Sequence, residues 1–318
     1  MLSRVADALY WMGRYLERAE NLTRLLLVTE DSSTEVLGLD EELALAEWHD
    51  LLRIFPGPEI RRDPDRPPPF FAFAYLDGLS FDPRHPYSIQ FSLKKARENA
   101  RAVREALTVE VFVSLNDTWR DLEVYTRRGS LDAPMFRDAL SQIHRGILST
   151  VGAIEHTLTR DQGWLFLKMG ESLERVLRTA TVLRAKLPAL LAPQPAIDVP
   201  LFYSRWRALL RGLSSLENYR HACGARMEPA DVLSFLLFDP HAPRSVHYGT
   251  AAVKGYLDRL AEGDGRTSAG RIIGRLHADL AYRDETAARR GDDGPFLDHV
   301  VAELARTHDA LSAHFFEG

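Results

Sequence analysis

Two stretches of the chain carry the residue types from which a polar site is built. Glutamate adjoins arginine in Gly13-Arg14-Tyr15-Leu16-Glu17-Arg18 and again in Gly170-Glu171-Ser172-Leu173-Glu174-Arg175. Helical spacing puts Arg14, Glu17, Asn21 and Arg24 in one row, with Arg18 beside it, and gives a second row of Glu171, Glu174 and Arg178. A guanidinium fork grips a carboxylate or phosphate through two parallel hydrogen bonds. A glutamate whose pKa is raised by burial can move a proton. On that reading Glu17 and Glu174 are the candidate catalytic residues, and Arg14, Arg18, Asn21, Arg24 and Arg175 bind the substrate. The same residues admit a structural reading. Charged side chains set in apolar helices must be paired when buried, and such a network can fix helix register without doing chemistry.

The remaining clusters point less sharply. Glu98-Asn99-Ala100-Arg101-Ala102-Val103-Arg104-Glu105 crowds charge onto one segment. Glu98–Arg101 and Arg101–Glu105 would be ordinary helical pairs on a solvated face. The alternative is that Asn99 and Arg104, with Arg101 between them, line the same pocket as Glu17. An Asp-Pro-x-x-Pro-x-Ser element ends at Ser88 and again at Ser245, where serine suits a helix N-cap; Arg244 beside Ser245 could instead help a helix N-terminus hold an anion. His299 and Glu303 lie four apart and His308 follows, short of the three or four ligands a metal site needs, so no metal is expected. No phosphate-binding glycine loop, dinucleotide fingerprint or nucleophile elbow occurs, so no cofactor is expected. Cys223 is the one cysteine and reads as a small buried hydrophobe.

The elements that must position these residues are helical. Leu9, Met12, Leu16, Ala19 and Thr23 recur at three- and four-residue steps, as do Leu165, Met169, Leu173, Leu177 and Ala180. The same period predicts helices near 40–54, 88–106, 109–127, 135–158, 199–221, 245–262, 267–284 and 295–314. Asp132-Ala133-Pro134 and Asp293-Gly294-Pro295 are helix-start signals. Breaks are expected at 55–71, which holds six prolines, at 183–200, and at Gly263-Asp264-Gly265-Arg266. The proline-rich stretch reads as a surface loop, or else as a rigid docking segment. Strand-like alternation is scarce, so the class is all-α.

The chain also repeats itself. The two Glu-Arg motifs are 157 residues apart, and Phe81-Asp82-Pro83 and Phe238-Asp239-Pro240 stand at the same offset. Trp48 with Leu51-Leu52-Arg53 matches Trp206 with Leu209-Leu210-Arg211, one residue further on. These matches predict a tandem duplication, 1–157 and 158–318, packed as one pseudo-symmetric helical bundle.

Composition bounds the function. The 318 residues are 45% hydrophobic and 27% charged with a net charge of −5, ordinary for a soluble globular protein and short of the basic surplus of a generic nucleic-acid binder. A single cysteine forms no internal disulfide and fits a reducing cytoplasm. Apolar runs such as Leu25-Leu26-Leu27-Val28 are far below the ~20 residues that cross a bilayer, and Asp7, Glu17 and Glu20 interrupt any signal-peptide core. The expectation is a cytoplasmic protein that binds neither membrane nor nucleic acid.

The opening MLSRVADALYWMGRYLERAENLTRLL, the repeated Leu-Glu-Arg and Glu98–Glu105 resemble the alpha-E family (DUF403-like), a bacterial all-helical domain named for its Glu-Arg motif. The resemblance covers essentially the whole chain. It implies a role beside circularly permuted ATP-grasp ligases and transglutaminase-like cysteine peptidases, in a pathway that forms and trims amide or peptide bonds. The chain would then bind the ligase or its amino-acid or peptide substrate, or else be an enzyme acting on such a substrate at a Glu/Arg pocket between the repeats. The family's Glu-Arg pair falls on Glu17-Arg18 and, through the repeat, on Glu174-Arg175. Val176-Leu177-Arg178 stands where the first copy has Ala19-Glu20-Asn21, a departure that puts a two-fold symmetric site in doubt.

Overall fold

The computed structural model describes residues 2–37, 40–58, 71–128, 131–192, 199–261, 267–283 and 293–317. Among them the chain is all-helical. Helices α1 (Ser3–Leu37), α2 (Glu41–Ile54), α3 (Phe71–Phe81), α4 (Ile89–Ala102), α5 (Val109–Thr126) and α6 (Ala133–Thr157) come first. They are followed by α7 (Gln162–Leu191), α8 (Val199–Gly212), α9 (Leu216–Cys223), α10 (Pro229–Phe238), α11 (Val246–Leu260), α12 (Ser268–Ala281) and α13 (Asp293–Leu311). No helix among the described residues is long and apolar enough to cross a membrane.

Two long helices form the centre. At 1.5 Å per residue, α1 and α7 run about 52 and 45 Å. Between Ala8 and Leu26 every residue of α1 but Trp11 and Tyr15 is buried, and between Leu165 and Leu183 every residue of α7 but Arg175 and Leu177. Helices enclosed all round are normally apolar all round. These carry arginines and glutamates, so their polar groups must find partners inside the protein. The shorter helices pack around them. Helix α1 lies against α4, α2, α6 and α8, and α7 lies against α11, α13, α2 and α8; α5 pairs with α6, and α12 with α13. Trp48 on α2 and Trp206 on α8 are both fully buried.

The crossing of α1 and α7 depends on glycine. A Cβ on Gly13 would run into the Leu167 carbonyl, and one on Gly170 into the Tyr10 carbonyl. Both obstacles are backbone, which cannot swing aside. Two glycines thus let the helices approach with their main chains in contact, and this close approach brings the neighbouring Glu-Arg pairs within reach of one another.

Local signals account for most helix starts. Asp40, Ser88, Thr108, Asp132, Asp161, Ser245 and Thr267 each accept a hydrogen bond from a first-turn N–H. Both serines of the repeated element do more: Ser88 also donates to the Asp82 carbonyl and Ser245 to the Asp239 carbonyl. They are N-caps that tie each helix to the turn before it.

Several expectations need correction. Helix α7 continues through Pro188 to Leu191, where the sequence suggested a break from 183. Arg205 donates to the Ala189 carbonyl, satisfying one of the acceptors left free at the helix end. The helix expected over 199–221 is two helices, because Ser214 adopts a positive φ of 49° and turns the chain before α9. Residues 104–106 form a separate 3-10 turn after α4. Helices α3 and α10 were not foreseen. Cys223 is exposed rather than buried, since it closes the short helix α9. The proline-rich stretch, apart from its ends, and the turn at 263–266 lie outside the described residues.

Candidate functional site

The Glu-Arg motifs meet at the α1–α7 crossing, and they meet by exchange. Arg18 Nε donates to Glu174 Oε1 at 2.8 Å, and Arg175 donates through its terminal nitrogen to Glu17 Oε2 at 2.7 Å. Each motif's arginine thus holds the other motif's glutamate.

On one side of this exchange Glu174 is fully buried, with 0% of its surface exposed. Its Oε2 accepts from Arg14 Nε at 2.8 Å and from Arg18 at 3.1 Å, and Arg178 Nε lies 3.1 Å from Oε1. Arg178 also donates to the Ile54 carbonyl at the end of α2. Aromatic rings lie close to the guanidiniums: Trp11 is 5.0 Å from Arg14, Tyr87 is 4.8 Å from Arg18, and Phe55 is 5.4 Å from Arg178. Next to Arg14, buried Tyr10 hydrogen-bonds His308 Nδ1 at 2.9 Å.

On the other side Glu17 receives Arg175 and Arg244. Asn21, one turn on, donates to the Glu17 carboxylate at 2.6 Å and accepts from Arg24 at 3.0 Å. Arg24 clamps Glu20 with two hydrogen bonds and also donates to the Gly212 carbonyl. Arg244 adds a bond to Glu20, and His144 Nε2 lies 3.0 Å from the same carboxylate. Arg175 extends to Glu171, which is paired with Lys168, and Lys168 reaches Glu155.

Burial pushes both motif carboxyls toward protonation, but the arginines outweigh it. Glu174 is held well below the usual carboxylate range by Arg18, Arg14 and Arg178. Glu17 is held lower than usual by Arg175 and Arg244, and Glu20 well below by Arg24 and Arg244. All three are therefore ionised at neutral pH. A permanently ionised glutamate whose lone pairs are taken by guanidiniums is a weak base and has no proton to give. Burial raises the Tyr10 hydroxyl to about 12 and depresses the His308 imidazole to about 4, with Arg14 repelling the imidazolium as the next cause. Both are neutral near pH 7.

The structure gathers Arg14, Glu17, Arg18, Asn21, Arg24, Glu174 and Arg175 into this network. It places Asn99, Arg101 and Arg104 elsewhere. Arg101 is exposed; Arg104 donates to the Leu107 carbonyl and lies 4.6 Å from the Phe112 ring. Among the described residues none of the three bonds the Glu17 or Glu174 carboxylate; Asn99 and Arg101 lie in the last turn of α4 and Arg104 in the 3-10 turn after it. Glu98 pairs with Lys95 at 2.8 Å, one turn back, instead of with Arg101. Arg244 is spent on Glu17 and Glu20, so it is not free to help the α11 N-terminus hold an anion. Glu303 pairs with Arg306 and His299 faces Asp279, while His308 packs on Tyr10; these groups do not converge.

A second buried polar cluster had no sequence signal. Lys186 Nζ lies 2.6 Å from Glu47 and 3.7 Å from Asp50, and Arg205 Nε lies 3.8 Å from Glu47. Burial raises the Asp50 carboxyl against the pull of Lys186. A cavity of about 10 Å³ adjoins them, the size of one water. Its residues come from four helices, α1 and α2 of the first part of the chain and α7 and α8 of the second.

No solved structure matches the chain. An uncharacterised protein of Mycobacterium bovis is 28% identical over 98% of the chain, and an uncharacterised protein of Mycobacterium tuberculosis H37Rv is 27% identical over the same share. The chain spans only about 36% of the length of these relatives. The Alpha-E family, described as a predicted alpha-helical domain with a conserved ER motif, matches residues 1–316. With its two Glu-Arg pairs interlocked at the centre of an all-helical fold, the chain belongs to the Alpha-E family.

Proposed function

We propose that this chain is a binding module of an amide-bond pathway, and that its Glu-Arg motif is the lock of the module rather than its catalyst. The observation that carries the reading is the state of the two glutamates. Each is buried, ionised and gripped by at least two guanidiniums, an arrangement suited to fixing two helices and unsuited to proton transfer.

The module is a tandem duplication, with halves 1–157 and 158–318 packed about the crossing. The exchanged pairs Arg18–Glu174 and Arg175–Glu17, the two glycine approaches and the twin Ser88 and Ser245 caps support this reading. So do two surface grooves, one lined by Phe81-Asp82-Pro83 and one by Phe238-Asp239-Pro240, of about 880 and 260 Å³.

The partner is an ATP-grasp ligase, with a transglutaminase-like protein in the same pathway, and the module binds the ligase or presents its amino-acid or peptide substrate. The resemblance in the sequence suggests these partners. The length of the relatives agrees with a module that acts beside another unit, since about two thirds of each lies outside the match. Work beside an ATP-dependent ligase places the module in the cytoplasm.

The test is affinity capture from the native lysate with the tagged full chain, wild type and Glu17→Gln in parallel, below the melting temperature of both. Recovery of an ATP-grasp ligase with both forms is the expected result. An amino acid or peptide retained by wild type, turned over by it and lost from Glu17→Gln would overturn the reading in favour of an enzyme.

A further inference from the structure

The charges of the network are shared evenly on one side of the crossing and not on the other. On the Glu17 side, Arg24, Arg175, Arg244 and Lys168, with the solvent-open Arg160, face Glu17, Glu20, Glu171 and Glu155, five cations to four carboxylates. On the Glu174 side, Arg14, Arg18 and Arg178 share one carboxylate. Two positive charges are left over among side chains only 5–7% exposed.

Among the described residues no further carboxylate pairs with them. Tyr10 and His308 are neutral at pH 7. The rings of Trp11, Tyr15, Tyr87 and Phe55 attract cations through a quadrupole but carry no net charge. Both oxygens of Glu174 already accept hydrogen bonds, and Arg178 Nε completes none although it is buried. Burial and the repulsion of Arg18 and Arg14 outweigh Glu174 and disfavour the charge on Arg178. Uncompensated buried charge is costly, and three guanidiniums converging from α1 and α7 are the usual answer to a bound oxyanion. Tyr15 and Tyr87, 5.2 and 4.8 Å from the Arg18 guanidinium, are half-buried and are the partly exposed groups nearest the cluster.

We infer that the Glu174 side is a binding site for a small oxyanion, a carboxylate or phosphate group, held by Arg14, Arg18 and Arg178 against the ring of Tyr87. The inference is independent of the ligase reading: a chain that captures the ligase and binds no anion fails only here.

Titration calorimetry on the full chain tests it, in chloride buffer at fixed ionic strength, with inorganic phosphate in one arm and L-glutamate in the other. Saturable binding near one site per chain is expected in at least one arm. Phosphate alone indicates a phosphoryl group, and glutamate alone a carboxylate such as a peptide terminus. Arg178→Gln should weaken it at least tenfold, whereas Arg84→Gln, on the exposed pair with Asp82, should not change it. Arg178→Lys, which keeps the charge and loses the fork, provides the comparison if Arg178→Gln does not fold, and should weaken binding at least fivefold. No saturable heat in either arm, or equal binding by the folded Arg178 variants, overturns the inference.

Discussion

Replacing Glu174 by glutamine changes one atom in size and removes one charge. The wild-type carboxylate takes hydrogen bonds from Arg14 and Arg18 and faces Arg178. The amide retains one acceptor oxygen and turns an –NH2 toward at least one guanidinium. Three arginines then stand buried with no counter-charge. Removing one partner of a buried ion pair costs about 3–5 kcal/mol, and three cations on one anion put Glu174→Gln at the upper end. At roughly 2 °C per kcal/mol for a large domain, Tm falls by about 6–10 °C. Glu17→Gln should cost less, about 1–3 kcal/mol, because Arg175 and Arg244 are 20% and 14% exposed and can recover solvent. Thermal unfolding by circular dichroism in phosphate-free buffer, with urea titration at 25 °C, measures both. A Glu174→Gln protein melting within 2 °C of wild type, or less affected than Glu17→Gln, refutes the lock.

Other outcomes follow from the same geometry. Gly13→Ala and Gly170→Ala should each lose about 2–4 kcal/mol in urea unfolding, since each new Cβ meets the other helix's backbone; a loss below 0.5 kcal/mol would mean the helices do not touch there. Ser88→Ala and Ser245→Ala should each cost about 1–2 kcal/mol, because each hydroxyl both caps a helix and donates to the preceding turn. His308 has a folded pKa near 4 against 6.5 unfolded, so the unfolded chain binds the extra proton and stability falls as pH drops from about 6.5 to 4. Discounted for partial exposure, that loss is on the order of 1–2 kcal/mol, and it should shrink in His308→Gln. Glu174 is shifted in the same direction but over a more acid range: its stabilisation is present above the unfolded carboxyl pKa and is lost only as pH falls through its depressed folded value. Acid unfolding curves of the wild type and the two variants separate these contributions.

The sequence was most informative where local rules decide. Long amphipathic stripes announced α1 and α7, and serine and aspartate marked helix starts. The adjacent Glu-Arg pairs drew attention because charges rarely sit in such apolar helices without partners. What escaped was tertiary. Arg244 serves Glu17 from 227 positions away, and no local pattern links them. Helices α3 and α10, FAFAYLDGLSF and PADVLSFLLF, are too short and too evenly apolar to show a helical period. The break at Ser214 depends on a left-handed residue that is not glycine. Asn99 and Arg104 looked like neighbours of Glu17 because residue type carries no direction; Arg104 lies in the 3-10 turn after α4 and bonds the Leu107 carbonyl instead. The excess of two positive charges at Glu174 became visible only once every partner was in place.

The central claim is that the motif glutamates are fixed anions. It is tested most directly by following the side-chain carboxyl carbons of Glu17 and Glu174 by NMR from pH 8 to pH 3, each assigned by its glutamine variant. The account predicts that both remain ionised below the pH at which an ordinary glutamate titrates, with Glu174 the last to take up a proton. A midpoint between pH 6 and 7 for either carboxyl would contradict it, and would identify that glutamate as a group able to exchange a proton with a substrate.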